Sequence, residues 1–266
     1  DAHGITGRPL NLKVRNTEIS HVSVDALQFD PGRKAEPYAW DHVMVENCFL
    51  WTGPLDRDYA DYRRGERPGE NAFDSKVAPH GPRARITIRD TLIKGWGHGA
   101  IDNGAALNLK EKIQAVIERC VFVENDIAFR CRGASADGAR ASAWITARDC
   151  TVYQTARVFR LESRVENVKI HDLAVGERVA REFEPAPGAG AGYEFTGKRT
   201  APPFPTAQRV EEPSAYGDTG SGIPLPPRPP EREPSFPWIA LLLVLLLGGY
   251  IGYAQWAGRG AHGPPP

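Results

Sequence analysis

Apolar and polar residues alternate in short bursts along the first 176 residues. The bursts fall into two recurring phrases. In the first phrase a small residue is followed by apolar, polar, apolar and charged or polar positions. The copies are Ala26-Leu27-Gln28-Phe29-Asp30, Ala72-Phe73-Asp74-Ser75-Lys76, Ala106-Leu107-Asn108-Leu109-Lys110, Ala128-Phe129-Arg130-Cys131-Arg132 and Val158-Phe159-Arg160-Leu161-Glu162. They are separated by 46, 34, 22 and 30 residues. The second phrase precedes each copy or follows the last: "LKVRNTEI", "VMVENCFL", "ITIRDTLI", "AVIERCVF", "ITARDCTV" and "VKIHDLAV". A period of two predicts strands with one buried face. A fixed phrase at irregular spacing predicts that each repeat adds one structural turn while insertions lengthen the loops. The shortest spacing, 22 residues, suits a coil of three short strands. Residues of one column then stack about 4.8 Å apart between coils. These features predict an all-β chain folded as a right-handed parallel β-helix. A leucine-rich repeat has a similar period, but its Leu and Asn frame is absent.

"ITIRDT", "AVIERCVFVEN" and "GENAFDSK" resemble the right-handed parallel β-helix proteins of the pectate-lyase-like superfamily, over roughly Asp1 to Gly176. The resemblance speaks for the fold more than for any one reaction. In that superfamily a Lys or Arg commonly serves as base, with calcium or arginine on the substrate carboxylate, on an exposed face of the coil.

The register places Leu27, Phe73, Leu107, Phe129 and Phe159 in one inward stack. Cys48, Cys120 and Cys150 share a column with Thr17 and Thr91, as free thiols packed like small apolar residues. The preceding column, rich in Asn and Asp, is read as turn-forming. The third position of the first phrase (Gln28, Asp74, Asn108, Arg130, Arg160) and the fifth (Asp30, Lys76, Lys110, Arg132, Glu162) point outward. Like charges on neighbouring rungs repel unless an anion lies between them. Lys76, Lys110, Arg130 and Arg132 therefore predict a row that takes a linear acidic polysaccharide, and Asp74, Asn108 and Arg160 complete the substrate-contacting set.

The chemistry suited to such a ligand is β-elimination. Lys76 or Lys110 would act as base, its proton affinity lowered by cationic neighbours, while cations stabilise the enolate. Glu70 and Asp74 offer hard oxygen ligands for Ca²⁺. His98, on the Gly-rich turn "GWGHGAIDNG", is a further candidate as an acid. Hydrolysis would need two carboxyl groups across the scissile bond, with Asp74 and Asp102 available. In the 51–69 insertion, Trp51, Tyr59 and Tyr62 are candidate sugar platforms and Arg63 and Arg64 candidate anion contacts. The second functional reading is a non-catalytic carbohydrate-binding, adhesion or structural surface protein.

Composition adds the setting. Lys plus Arg equals Asp plus Glu at 33 each, which argues against a general nucleic-acid binder. Residues 1–185 are read as the β-helix and 186–235 as a Pro/Gly-rich linker, with 11 prolines between Ala201 and Pro237. The stretch 236–257 carries no charge over 22 residues and has Trp238, Tyr253 and Trp256 near its ends. It predicts a membrane-spanning helix, followed by a tail at 258–266. The solenoid is accordingly expected outside the cytoplasm. The first strand begins so early that further coils or a cap are expected upstream.

Overall fold

A computed structural model of the protein describes residues 2–30, 40–59, 61–78, 81–97, 104–185 and 192–204. All belong to the unit spanning Asp1–Pro226. The linker, the apolar stretch at 236–257, His98 and Asp102 lie outside the described residues. Among the described residues no helix is long and apolar enough to cross a membrane.

The described chain is all-β, with 21 strands in three parallel sheets of seven. This arrangement is compatible with a parallel β-helix in which each coil gives one strand to each sheet. The first sheet contains Ile5–Gly7, Asp25–Phe29, Asn71–Ser75, Leu107–Leu109, Ile127–Cys131, Arg157–Leu161 and Arg181–Pro185. The second contains Lys13–Arg15, Val43–Glu46, Ala84–Arg89, Ile113–Glu118, Trp144–Arg148, Val168–His171 and Tyr193–Thr196. The third runs from Glu18–Ser20 through Phe49–Trp51, Leu92–Lys94, Val121–Val123, Thr151–Tyr153 and Ala174–Val175 to Arg199–Thr200. Both phrases recur in register. Each first-phrase copy lies in the first sheet, and each second-phrase copy bridges the second and third. The seventh coil continues beyond residue 185 to Thr200.

The inward stack forms as the pattern predicts. Leu27 pairs with Phe73, Phe73 with Leu107, Leu107 with Phe129 and Phe129 with Phe159. All five are fully buried. Ile5 continues the stack at one end and Phe183 at the other. The rings of Phe129 and Phe159 stack at 4.7 Å and 16°, and those of Phe159 and Phe183 at 5.4 Å and 20°. In-register stacking of this kind gives close packing with the aromatic offset that π-systems prefer.

The bend between the second and third sheets explains two columns together. Asn16, Asn47, Asp90, Arg119, Asp149 and Asp172 all hold φ between 49° and 54°, and Gly197 takes the position in the last coil. Asn, Asp and Gly tolerate this left-handed geometry best. Arg119 departs from that rule, and its guanidinium grips Asp90 of the coil before at 2.7 and 2.8 Å. In the first five of these bends the next residue is Thr or Cys, and its side chain donates to the carbonyl two positions back. Thr17 and Thr91 do so at 2.8 and 2.9 Å. Cys48, Cys120 and Cys150 make the same contact through sulfur at 3.3, 3.3 and 3.4 Å. Thr and Cys interchange here because both are small and both have one rotatable donor. All four cysteines are free and buried. Burial pushes the Cys150 thiol up to about 12, consistent with an inert packing role.

Phe129→Ala should cost about 3–5 kcal/mol, the range for truncating a core aromatic. Urea unfolding of the variant and parent checks this. A loss below about 1 kcal/mol would contradict the continuous stack.

Candidate functional site

The outer face of the first sheet carries the predicted row. Asp74 pairs in register with Gln28 and Asn108, Asn108 with Arg130, and Arg130 with Arg160. Lys76, Lys110 and Arg132 follow two residues later on consecutive coils. Asp74, Asn108, Arg130, Arg160, Lys76, Lys110 and Arg132 are therefore brought together, with Glu70 on the same coil as Asp74. The alanine floor beside them is closed: Ala26, Ala72, Ala106 and Ala128 have no exposed surface.

The cations of this row are met by the protein's own carboxylates. Lys110 Nζ lies 2.7 and 2.8 Å from the two oxygens of Asp74, which is almost wholly buried. Lys76 Nζ donates to Gln28 Oε1 at 3.0 Å and stands 3.7 Å from Asp74 and 3.9 Å from Asp30. Glu162 receives Arg130 Nε at 2.8 Å and Arg132 Nε at 2.7 Å, one on each oxygen. Arg132 also approaches Glu111 at 3.4 Å. The nearest charged neighbours of Lys76 and Lys110 are thus carboxylates, where the base role predicts cations. The cationic partners are partly exposed, from 12% for Arg130 to 41% for Lys76, while Asp74 is buried beneath them. A solvated ligand can therefore reach them.

At the corner where this sheet begins, a second polar row runs along the axis. Asn71 Nδ2 donates to Asp25 Oδ1 at 2.7 Å, and Asn71 Oδ1 accepts from the Ala105 amide at 2.9 Å. The Asp25 amide donates to His3 Nδ1 at 3.3 Å, and that nitrogen lies 3.5 Å from Asp25 Oδ2. A nitrogen that accepts the amide has its lone pair there, and burial holds the His3 pKa below its usual value. The facing carboxyl is 1% exposed. Burial raises its pKa to about 7; the Asn71 hydrogen bond opposes the rise, while Asp74 and Glu70 add to it. Burial and the charge of Asp74 likewise push Glu70 up.

Glu70 and Asp74 form a pair of acids, but among the described residues no three His, Cys, Asp or Glu side chains converge as a metal site. Trp51 is not a free sugar platform. It is 7% exposed, stacks on Phe49 at 5.6 Å, meets His21 edge-on at 4.4 Å and donates to Glu18 at 2.7 Å. It ends the strand Phe49–Trp51 and packs in a cluster with Phe49, Leu92 and Val123. Tyr62 anchors that insertion through its hydroxyl to the Ser23 carbonyl at 2.8 Å, whereas Tyr59 is 66% exposed. The amides of Arg63 and Arg64 are capped by Glu66 and Asp58, each at 2.8 Å.

Two features lie outside the predicted site. One is the His3–Asp25–Asn71 row, in which Asp25 and Asn71 stand immediately before Ala26 and Ala72 of the first phrase and His3 precedes Gly4. The other is a column on the second sheet whose charges alternate from coil to coil: Arg15, Glu46, Arg89, Glu118, Arg148, then His171. Glu46 pairs with Arg15 at 2.7 Å and with Arg89 at 2.5 Å, and Glu118 pairs with Arg148. The alternation can be read two positions before the Thr/Cys column.

No protein-family model matches the chain, and comparison with curated proteins and with solved structures returns no match either.

Asp25 gives this corner a definite pH response. The folded chain keeps a proton that an unfolded carboxyl loses near pH 4, and releases it only near 7. Stability should therefore fall as pH rises through that window, by up to ~4 kcal/mol, and level off above it. Asp25→Asn should flatten the decline in a urea-unfolding series between pH 4 and 8. A parent curve that rises across the window would contradict the buried protonated acid.

Proposed function

We propose that the chain is a right-handed β-helix protein of the pectate-lyase-like kind. In this reading it is held outside the cytoplasm by the apolar stretch at 236–257 and a Pro-rich stalk. The outer face of its first sheet binds an acidic, uronate-containing polysaccharide without cleaving it. The observation that carries the proposal is the run of Lys76, Lys110, and Arg130 with Arg132, on three consecutive rungs, each paired with Asp74 or Glu162. A polyuronate lying along the axis would place its carboxylates on the open side of these partly exposed cations, sharing them with Asp74 and Glu162, which stay in place. Binding is favoured over β-elimination because the two candidate bases, Lys76 and Lys110, are each flanked by carboxylate. A base would need its amine near the substrate α-proton with cations on the substrate carboxylate. Glu70 and Asp74 are the oxygens at which Ca²⁺ would compete with Lys110, and a calcium titration that raises affinity would assign it there.

Affinity for polygalacturonate should fall as salt rises, since the screening length shrinks from about 10 Å at 0.1 M to about 3 Å at 1 M. Asp74→Asn should tighten binding by releasing Lys110 to the ligand, and Lys110→Ala should weaken it. Each effect should be ~3- to 10-fold, the scale of a partly exposed ion pair. Calorimetry at two salt concentrations measures both. If replacing all four cations by alanine leaves affinity unchanged, the face is not the site. If an ultraviolet-absorbing unsaturated product accumulates, the protein is a lyase and the non-catalytic reading fails.

A further inference from the structure

The second sheet has an outer face of a different character. A trough of about 350 Å³ runs across its first four coils, bordered by Asn11, Lys13, His42, Arg85 and Gln114 and floored by Met44, Thr87 and Val116. The floor is one register column, in which Lys13 faces Met44, Met44 faces Thr87, Thr87 faces Val116 and Val116 faces Thr146. Arg85 and Gln114 border one side, and their register column continues past the trough to Trp144; the alternating Arg/Glu column runs two residues away on the other side of the floor. Trp144 is 37% exposed, while Trp40, Trp51 and Trp96 are buried. The guanidinium of Arg83 lies 3.8 Å from the centre of its ring and is tied to the Ser142 carbonyl at 2.6 Å. The guanidinium thus covers one face of the indole and holds the ring in place one rung beyond Gln114, leaving only the other face for a ligand.

We propose that this trough is a separate carbohydrate site that takes a neutral polysaccharide chain lying along the helix axis, with Trp144 as its stacking platform. Three observations narrow the occupant. The volume falls within the range of ~300–1,000 Å³ typical of small-ligand sites, and the lining mixes apolar floor with amide and hydroxyl groups. The charges on both sides are already paired inside the protein: Arg85 with Asp41 through two guanidinium nitrogens, and the facing column along itself. Lys13, at one end, has no ion-pair partner among the described residues. A polyanion would therefore have to break ion pairs at most rungs, whereas a neutral glycan needs only hydroxyl partners and an aromatic face. A peptide is also a poor fit. Strand addition needs an open edge with free amides and carbonyls, and the trough lies on a sheet face whose backbone groups are spent in the ladder.

The test uses the full chain in a non-glycosidic detergent and three probes, the hexasaccharides of β-1,4-linked glucose, xylose and mannose. Tryptophan fluorescence and calorimetry should show saturable binding of at least one of them, insensitive to salt. Trp144→Ala should weaken that binding about tenfold or more, as for a central aromatic contact, and Gln114→Ala should do so by a smaller factor. Lys110→Ala, on the other face, should leave it unchanged. The proposal is overturned if none of the three probes binds, or if Trp144→Ala binds like the parent. It is equally overturned if the trough binds only polygalacturonate with the salt dependence of the first sheet. Loss of polygalacturonate binding to the first-sheet alanine variants is a separate readout, so the two sites stand or fall independently.

Discussion

Parallel strands in exact register turn sequence columns into rows along an axis, and every other feature of this chain answers to that constraint. Equivalent residues of successive coils stand about one inter-strand spacing apart. Apolar residues stacked at that distance make a continuous core, which is why Leu27, Phe73, Leu107, Phe129 and Phe159 bury one another completely. Charges stacked at that distance would repel, so each charged column must alternate in sign or borrow a counter-charge from beside it. The second sheet takes the first course with Arg15, Glu46, Arg89, Glu118 and Arg148. The first sheet takes the second, with Asp74 between Lys76 and Lys110, and Glu162 between Arg130 and Arg132. The left-handed bend repeats with the same strictness: its Asn, Asp and Arg residues hold φ between 49° and 54° on six coils, and Gly197 takes 73° on the last.

This constraint also separates the two faces as surfaces for recognition. On the first sheet the ion pairs run between neighbouring columns and their cations remain partly open to solvent, so a carboxylated ligand can share them. On the second sheet the pairs lie within a single column, side by side along the axis. They form a wall with little residual charge, beside a floor of Met44, Thr87 and Val116. Two functional proposals for the two faces follow from one packing rule applied to different residue types.

Much of the fold was legible because the repeated phrases are tight where the core is tight. Five first-phrase copies and their register can be read directly, and so can the Thr/Cys column, because small inward residues beside a left-handed bend have few substitutes. The first and last coils were not. Ile5–Gly7 ends on glycine at the inward position that Phe29, Ser75, Leu109, Cys131 and Leu161 hold in the other copies. Arg181–Pro185 begins with charges instead of alanine and ends on proline. End coils pack on one side only, so fewer of their positions are constrained. The outward residues were placed correctly in columns, but their pairing was not legible. Glu162 and Asp74 occupy columns that hold cations on other coils, and only the lateral contact between columns shows that each neutralises two neighbours. Trp51 misled for a related reason: an aromatic at the edge of a charged insertion reads as a platform, yet its ring is spent against Phe49 and His21.

The central claim, that register converts sequence alternation into cross-coil charge pairing, is tested most directly by a double-mutant cycle on Glu118 and Arg148. Glu118→Arg sets like charges on successive rungs and should destabilise the fold, as should Arg148→Glu. The combined swap restores an opposite pair between those two coils. Urea unfolding of the four proteins should then give a favourable coupling energy of about 1 kcal/mol or more. If the two changes add to within ~0.3–0.5 kcal/mol, the columns do not couple through register, and the account of both faces fails with them.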